Sequence, residues 1–131
     1  MNKFKKRITK TVGKTNNCIV IGKGFNQLST ILTIFQNIFI LSENPLDMRA
    51  KNLIYKESYD DLTNLMDING IFVDLDHVSY LSKLIPPTLR HNCPIMIEGN
   101  EPIGRDLSKS LYDHHYSCTD QQGEFHVWRI V

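Results

Sequence analysis

The sequence predicts an α/β fold, a three-layer sandwich built on a mostly parallel seven-stranded sheet with an antiparallel C-terminal β-hairpin. Three observations lead there. Apolar runs of four to six residues alternate with segments of helical period, the pattern of repeated β-α units. The connections between them are short, as in one layered domain. At the end the alternation stops, and two strand-like runs follow each other with too few residues between them for a crossover helix.

Cys18-Ile19-Val20-Ile21 is a continuous apolar run ending at Gly22, as a parallel strand buried on both faces requires. Asn26 can N-cap a helix whose Leu28, Ile31, Leu32 and Phe35 fall at i, i+3, i+4 and i+7. Ile38 to Leu41 is the second strand, and Asn44-Pro45 supplies a cap and a first-turn proline for a short helix through Asn52. Leu53-Ile54-Tyr55 reads as a third strand. Tyr59 to Met66 reads as a short helix, and Ile71-Phe72-Val73 as a fourth strand running into Asp74. His77 to Leu89 has helical spacing that Pro86-Pro87 must end or kink. Ile95-Met96-Ile97 is the fifth strand, and Pro102 to Asp113 a polar helix with Ile103, Leu107 and Leu111 on one stripe. His115 to Thr119 and Phe125 to Val131 form the terminal hairpin, in which Trp128 is most simply core.

The 131 residues, 41% hydrophobic and 22% charged with a net charge of +1, suit one soluble domain. Cys18, Cys93 and Cys118 are odd in number and far apart, which excludes a disulfide framework and a C-x-x-C site and points to a reducing cytoplasm. Gln36 and Asn37 interrupt the longest apolar candidate, Leu28 to Leu41, short of the roughly 18 residues a membrane span needs. The basic start is not followed by the apolar stretch of a signal peptide. Residues 1–16 therefore read as a basic N-terminal arm and residues 17–131 as the domain. Lys3, Lys5, Lys6, Arg7, Lys10 and Lys14 leave two readings of the arm, a solvated segment or a weak contact with a nucleic-acid backbone, and the first is the simpler.

In a Rossmann-like open sheet, ligands bind beyond the carboxyl ends of the strands, near the point where strand order reverses. After the first strand come Gly22-Lys23-Gly24-Phe25-Asn26, whose glycines allow a tight turn and close approach to a helix N-terminus. Glu43, nineteen residues after Gly24 and followed by Asn44, ends the second strand, where a carboxylate can accept both hydrogen bonds of a ribose diol. A tight turn and a solvated acid explain the same residues without a ligand. Glu57-Ser58 closes the third strand where a polar side chain would meet an adenine edge, and Glu98-Gly99 closes the fifth; both also read as ordinary polar loops. Asp74-Leu75-Asp76-His77 follows the fourth strand, and Asp74, Asp76 and His77 could act as general base, substrate clamp or ligands of a divalent metal. Asp76 is equally an N-cap and His77 a polar first-turn residue. No metal site is expected, and His114, His115 and His126 have no metal spacing among themselves.

Five β-α units and a terminal hairpin whose last strand inserts antiparallel resemble the core of class I S-adenosylmethionine-dependent methyltransferases and their relatives the aminopropyltransferases, the spermidine synthase-like enzymes. The resemblance spans about residues 17–131, and Cys18 to Gly24 is similar to the family's first motif. It implies the strand order 3-2-1-4-5-7-6, with S-adenosylmethionine as cofactor. It also implies that Gly22, Gly24, Phe25 and Asn26 face the methionine part, Glu43 with Asn44 holds the ribose, and Glu57 and Ser58 border adenine. Asp74, where the fourth motif lies, then borders the cofactor and, with Asp76 and His77, orients or deprotonates the acceptor. Val20 stands where methyltransferases carry Asp or Glu, and Phe25-Asn26 where aminopropyltransferases continue with an acid and glycine. The chain has no room for the lid of most such enzymes. Either a partner subunit completes the site, or the acceptor is large and exposed, or the fold persists as a non-catalytic scaffold or interaction module.

Overall fold

The computed structural model describes residues 3–22, 28–41, 49–62, 64–74, 93–98, 105–113, 115–120 and 125–130. Its centre is β1 (Asn17–Ile21), in which every residue from Cys18 onward is buried. Cys18 and Val20 enter one core cluster, Ile19 and Ile21 the other. Successive strand side chains point to opposite faces, so an unbroken apolar run is what a strand covered on both faces requires. β2 (Asn37–Leu41) pairs with β1 in parallel, with Ile21 opposite Leu41. β3 (Leu53–Lys56) pairs with β2 on its outer side.

On the other flank β4 (Ile68–Val73) lies parallel to β1, with Ile21 opposite Val73, and β5 (Ile95–Glu98) lies parallel to β4. The terminal hairpin consists of β6 (Tyr116–Asp120) and β7 (Phe125–Ile130); β7 lies antiparallel between β5 and β6. The sheet order is β3-β2-β1-β4-β5-β7-β6, the order expected. Trp128 is buried as expected, and its indole nitrogen has no hydrogen-bond partner among the described residues.

Residues expected as a solvated arm instead form a packed helix, α1 (Lys3–Val12). Phe4 and Ile8 are buried and Val12 packs against the same cluster, because positions i, i+4 and i+8 fall on one helix stripe. Gly70 in β4 makes room for the last turn of α1. A Cβ there would stand 3.1 Å from Val12 Cγ1 and 2.9 Å from Met96 Cε. On the same face, α2 (Leu28–Ile31) buries Leu28 and Ile31, and Phe35 follows into the core. The turns that follow α2 are tied down from a distance: Asn52 Nδ2 donates to the carbonyls of Leu32 at 2.8 Å and Phe35 at 3.1 Å.

The opposite face carries Leu62 and, from α3 (Arg105–Asp113), Leu111. The helix expected over Tyr59 to Met66 is a single 3₁₀ turn, Tyr59–Leu62. Asp61 accepts the Ser58 N–H at 3.2 Å to start it, Asp67 adopts a left-handed φ of 56° beyond it, and Met66 is 75% exposed. Arg49 to Asn52 is loop and turn, so the helix expected from Asn44 does not reach Asn52; its first part and the helix expected over His77 to Leu89 lie outside the described residues. No helix among the described residues is long and apolar enough to cross a membrane.

Candidate functional site

In this sheet the order reverses between β1 and β4, the position where open α/β sheets bind ligands. Gly22 lies one residue beyond Ile21, with φ of 85°, a conformation costly for any residue bearing a Cβ. Its N–H donates to the Leu41 carbonyl at 2.8 Å, which holds the turn against the end of β2. The backbone thus leaves the sheet at a point with no side chain.

Asp74 lies one residue beyond Val73, the partner of Ile21, so Gly22 and Asp74 are neighbours across adjacent strands, about 5 Å apart at the strand spacing. Asp74 is 2% exposed. A carboxylate so buried is retained at a cost that hydrogen bonding must offset. Continuing the register, Val73 pairs with Ile97, which places Glu98 beside Asp74 at the end of β5. Glu98 in turn pairs with Phe125 at the start of β7. The carboxyl edge therefore carries a row running Gly22, Asp74, Glu98, Phe125.

Glu57 and Ser58 follow β3 on the same edge, two strands out from β1, and are exposed. About 10 Å separates strands two places apart. Of the residues singled out in the sequence, the fold brings Gly22 and Asp74 together and sets Glu57 and Ser58 to one side. Gly24, Phe25, Asn26, Glu43, Asn44, Asp76 and His77 lie outside the described residues.

Two residues of the edge had no such reading. Phe125 reaches it because β7 runs opposite to its neighbour, so its first residue meets the last of β5. His126, opposite Ile97, is buried, and its ring stands 6.3 Å from that of Trp128. The hairpin was readable, but only the register shows which end of it meets the site. Among the described residues no cluster of His, Cys, Asp and Glu could hold a metal ion.

Cys18 and Cys93 are not poised as nucleophiles. Burial holds the Cys18 thiol well above its ordinary value, with the neighbouring Cys93 adding to the effect. Burial likewise pushes Cys93 up to about 12. Both stay protonated near neutral pH, and the thiol is the unreactive form.

No protein-family model matches the chain, and no curated protein matches it. Solved structures do. The precorrin 8W decarboxylase of Methanobacterium thermoautotrophicum superposes with a TM-score of 0.63 at 12% identity, covering 98% of this chain and 85% of that one. The 1,6-didemethyltoxoflavin-N1-methyltransferase of Burkholderia thailandensis, solved with its substrate and S-adenosylhomocysteine, superposes with a TM-score of 0.61 at 11% identity, covering 95% and 74%. The chain has the methyltransferase-like fold. Within that fold the antiparallel insertion of β7 is the feature that separates it from wholly parallel doubly wound sheets, and here it is formed over four residue pairs, Ile95 to Glu98 against Trp128 to Phe125.

Proposed function

We propose that the chain binds S-adenosylmethionine across the carboxyl ends of β1 and β4 and directs its methyl group to an acceptor. The observation that carries this is the pairing of a left-handed glycine, Gly22, with the buried Asp74 at the point where strand order reverses. The fit is favourable. A glycine turn admits a ligand against the backbone, and a carboxylate beside it can accept from an amine or hydroxyl.

On this reading the segment from Gly22 through Gly24, Phe25 and Asn26 holds the methionine part, and Glu43 beside Asn44 accepts from the ribose hydroxyls. Glu57 and Ser58 border adenine. Asp74, Asp76 and His77 orient the acceptor and take its proton. When bound, the sulfonium supplies an activated methyl carbon and a thioether leaving group. The chain's own contribution is alignment and proton removal.

Val20 favours a second reading, a binding module without transfer. It occupies the position where methyltransferases carry an acid, and it is wholly buried against the cluster that includes Ile40 and Phe72. Titration calorimetry with S-adenosylmethionine and S-adenosylhomocysteine tests both. Binding of both compounds is expected, and silence at millimolar ligand overturns the cofactor assignment. Incubation with candidate acceptors and either S-adenosylmethionine or its decarboxylated form then separates the readings: S-adenosylhomocysteine as product marks methyl transfer, methylthioadenosine from the decarboxylated donor marks aminopropyl transfer, and unaltered ligand marks the module.

A further inference from the structure

Charge in this chain is segregated. Six of the fifteen Lys and Arg lie in the first fourteen residues and none of the fourteen Asp and Glu does. The remainder holds nine Lys and Arg against fourteen Asp and Glu, a net of −5.

The structure sorts those six cations, of which Lys5 is half-buried and engaged in an interaction. Arg7 is used internally, donating to Asp120 Oδ2 at 3.0 Å and to the Phe125 carbonyl at 3.3 Å, with its guanidinium 4.2 Å from the Phe125 ring centroid. Lys3, Lys6, Lys10 and Lys14 are exposed, and none of them forms an ion pair among the described residues. At about 100° per residue, Lys3, Lys6 and Lys10 fall within a sector of roughly 60° on α1, opposite the Phe4, Ile8 and Val12 stripe. Steps of three and four residues advance about 4.5 and 6 Å along the helix.

This stripe works against the helix that carries it. Cations in the first turn face the positive end of the helix dipole, and like charges three and four apart repel. The first turn of α1 contains no acid to relieve either effect. Lys10 in the last turn suits the dipole, but the first-turn cations have no ion-pair partner among the described residues, and a local rule broken in this way is where function is expected.

The stripe also has a direction. Phe4 packs edge-on against Phe125, with centroids 5.6 Å apart, and Phe125 ends the carboxyl-edge row beside Glu98. Val12 instead lies over Gly70, and the Thr11 carbonyl accepts from Arg129 at the far end of β7. The N-terminal turn of α1 therefore stands at the carboxyl edge, over the Phe125 end of the row two strands from Asp74, and Lys10 and Lys14 lead away from it.

We infer that α1 binds the phosphodiester backbone of a nucleic acid and delivers it to the carboxyl edge, which makes the acceptor of the proposed transfer a polynucleotide. The second clause rests on the proposed function; the binding itself does not. Phosphates ask only for positive charge, whereas a protein partner would ask for an apolar anchor, and interface cores are poor in lysine. A membrane would ask for apolar residues on the outer face, and those of α1 are spent on the sheet.

The test is fluorescence anisotropy with a labelled mixed-sequence 20-nucleotide single strand and a 20-base-pair duplex, repeated across salt. If four lysines are engaged, affinity for the single strand is expected to fall about 50-fold between 50 and 200 mM salt, from a slope of about −0.7 per phosphate neutralised. The quadruple variant K3Q/K6Q/K10Q/K14Q, which relieves repulsion and should fold, is expected to lose most of the affinity and nearly all of the salt slope. Polyglutamate and anionic phosphatidylserine vesicles should compete poorly. Absence of binding, an unchanged salt slope in the folded variant, or equal competition by polyglutamate or vesicles overturns the inference. Calorimetry with S-adenosylhomocysteine on the same samples keeps the two proposals apart, because oligonucleotide binding without adenosyl binding sinks the cofactor reading and the acceptor clause but leaves the nucleic-acid binding, and the reverse sinks only this inference.

Discussion

Gly22 holds its φ of 85° at the end of β1, where an L side chain would add a clash worth about 1–2 kcal/mol. Gly22→Ala is therefore expected to lower stability by that amount in urea unfolding and to weaken adenosyl binding; an unmoved midpoint would show that the turn bears no strain. Glu43→Ala removes the carboxylate assigned to the ribose, and hydrogen bonds to charged groups are worth about 1.5–3 kcal/mol. Calorimetry should show S-adenosylhomocysteine binding weakened by roughly 10- to 100-fold, and equal affinity would withdraw the assignment. The buried thiols give a pH signature. Burial raises Cys93 to about 12 and Cys18 well above its ordinary value, so the folded chain keeps protons that the unfolded chain releases near pH 8.5. Stability is then full below that pH and declines as pH rises toward 12, by about 1.4 kcal/mol per unit for each thiol that keeps its proton. A Cys18→Val/Cys93→Ala variant should show a flatter alkaline limb in urea midpoints between pH 9 and 11. Parallel curves would remove the thiols from the account.

At the scale of elements, the strands were legible and α1 was not, for one physical reason. A strand buried on both faces must be apolar without interruption, and Cys18 to Ile21 and Ile71 to Val73 advertise this directly. A helix needs only one apolar stripe, and in α1 the three residues of that stripe are dispersed among five Lys and Arg. Charge read before periodicity made it an arm. At Tyr59 the apolar spacing overstates the helix, since Leu62 is buried while Met66 is 75% exposed. The correction has a measurable consequence. Ile8 is wholly buried, so Ile8→Ala is expected to cost about 2–5 kcal/mol, whereas a solvated arm would lose nothing. Arg7→Ala should cost less, about 1 kcal/mol, because its partner Asp120 is 40% exposed and solvent screens the pair. Chemical denaturation of the two variants orders them, and a neutral Ile8→Ala would detach α1 from the core.

For the whole molecule, the ends of the apolar runs were enough to mark the carboxyl edge, so Gly22 and Asp74 could be named from sequence. Their adjacency could not, because it depends on β4 returning beside β1, and neither could the approach of Glu98 and Phe125, which depends on register. The geometry makes the site a bridge. One side of the Gly22 and Asp74 pair belongs to β1, β2 and β3, the other to β4, β5 and the hairpin, and the two halves meet along the pairing of β1 with β4. A ligand seated there contacts both halves and is held only while they stay paired, so its binding energy should appear as stability of the whole sheet. At a ligand concentration of 100 times Kd the gain is about 2.7 kcal/mol. For a chain of 131 residues that corresponds to a rise in Tm of roughly 10 °C. S-adenosylhomocysteine should therefore move one calorimetric transition upward as a unit, with amide exchange slowed in β1 and β4 together. A second transition that stays in place, or protection confined to one half, would show that the ligand does not span the switch point.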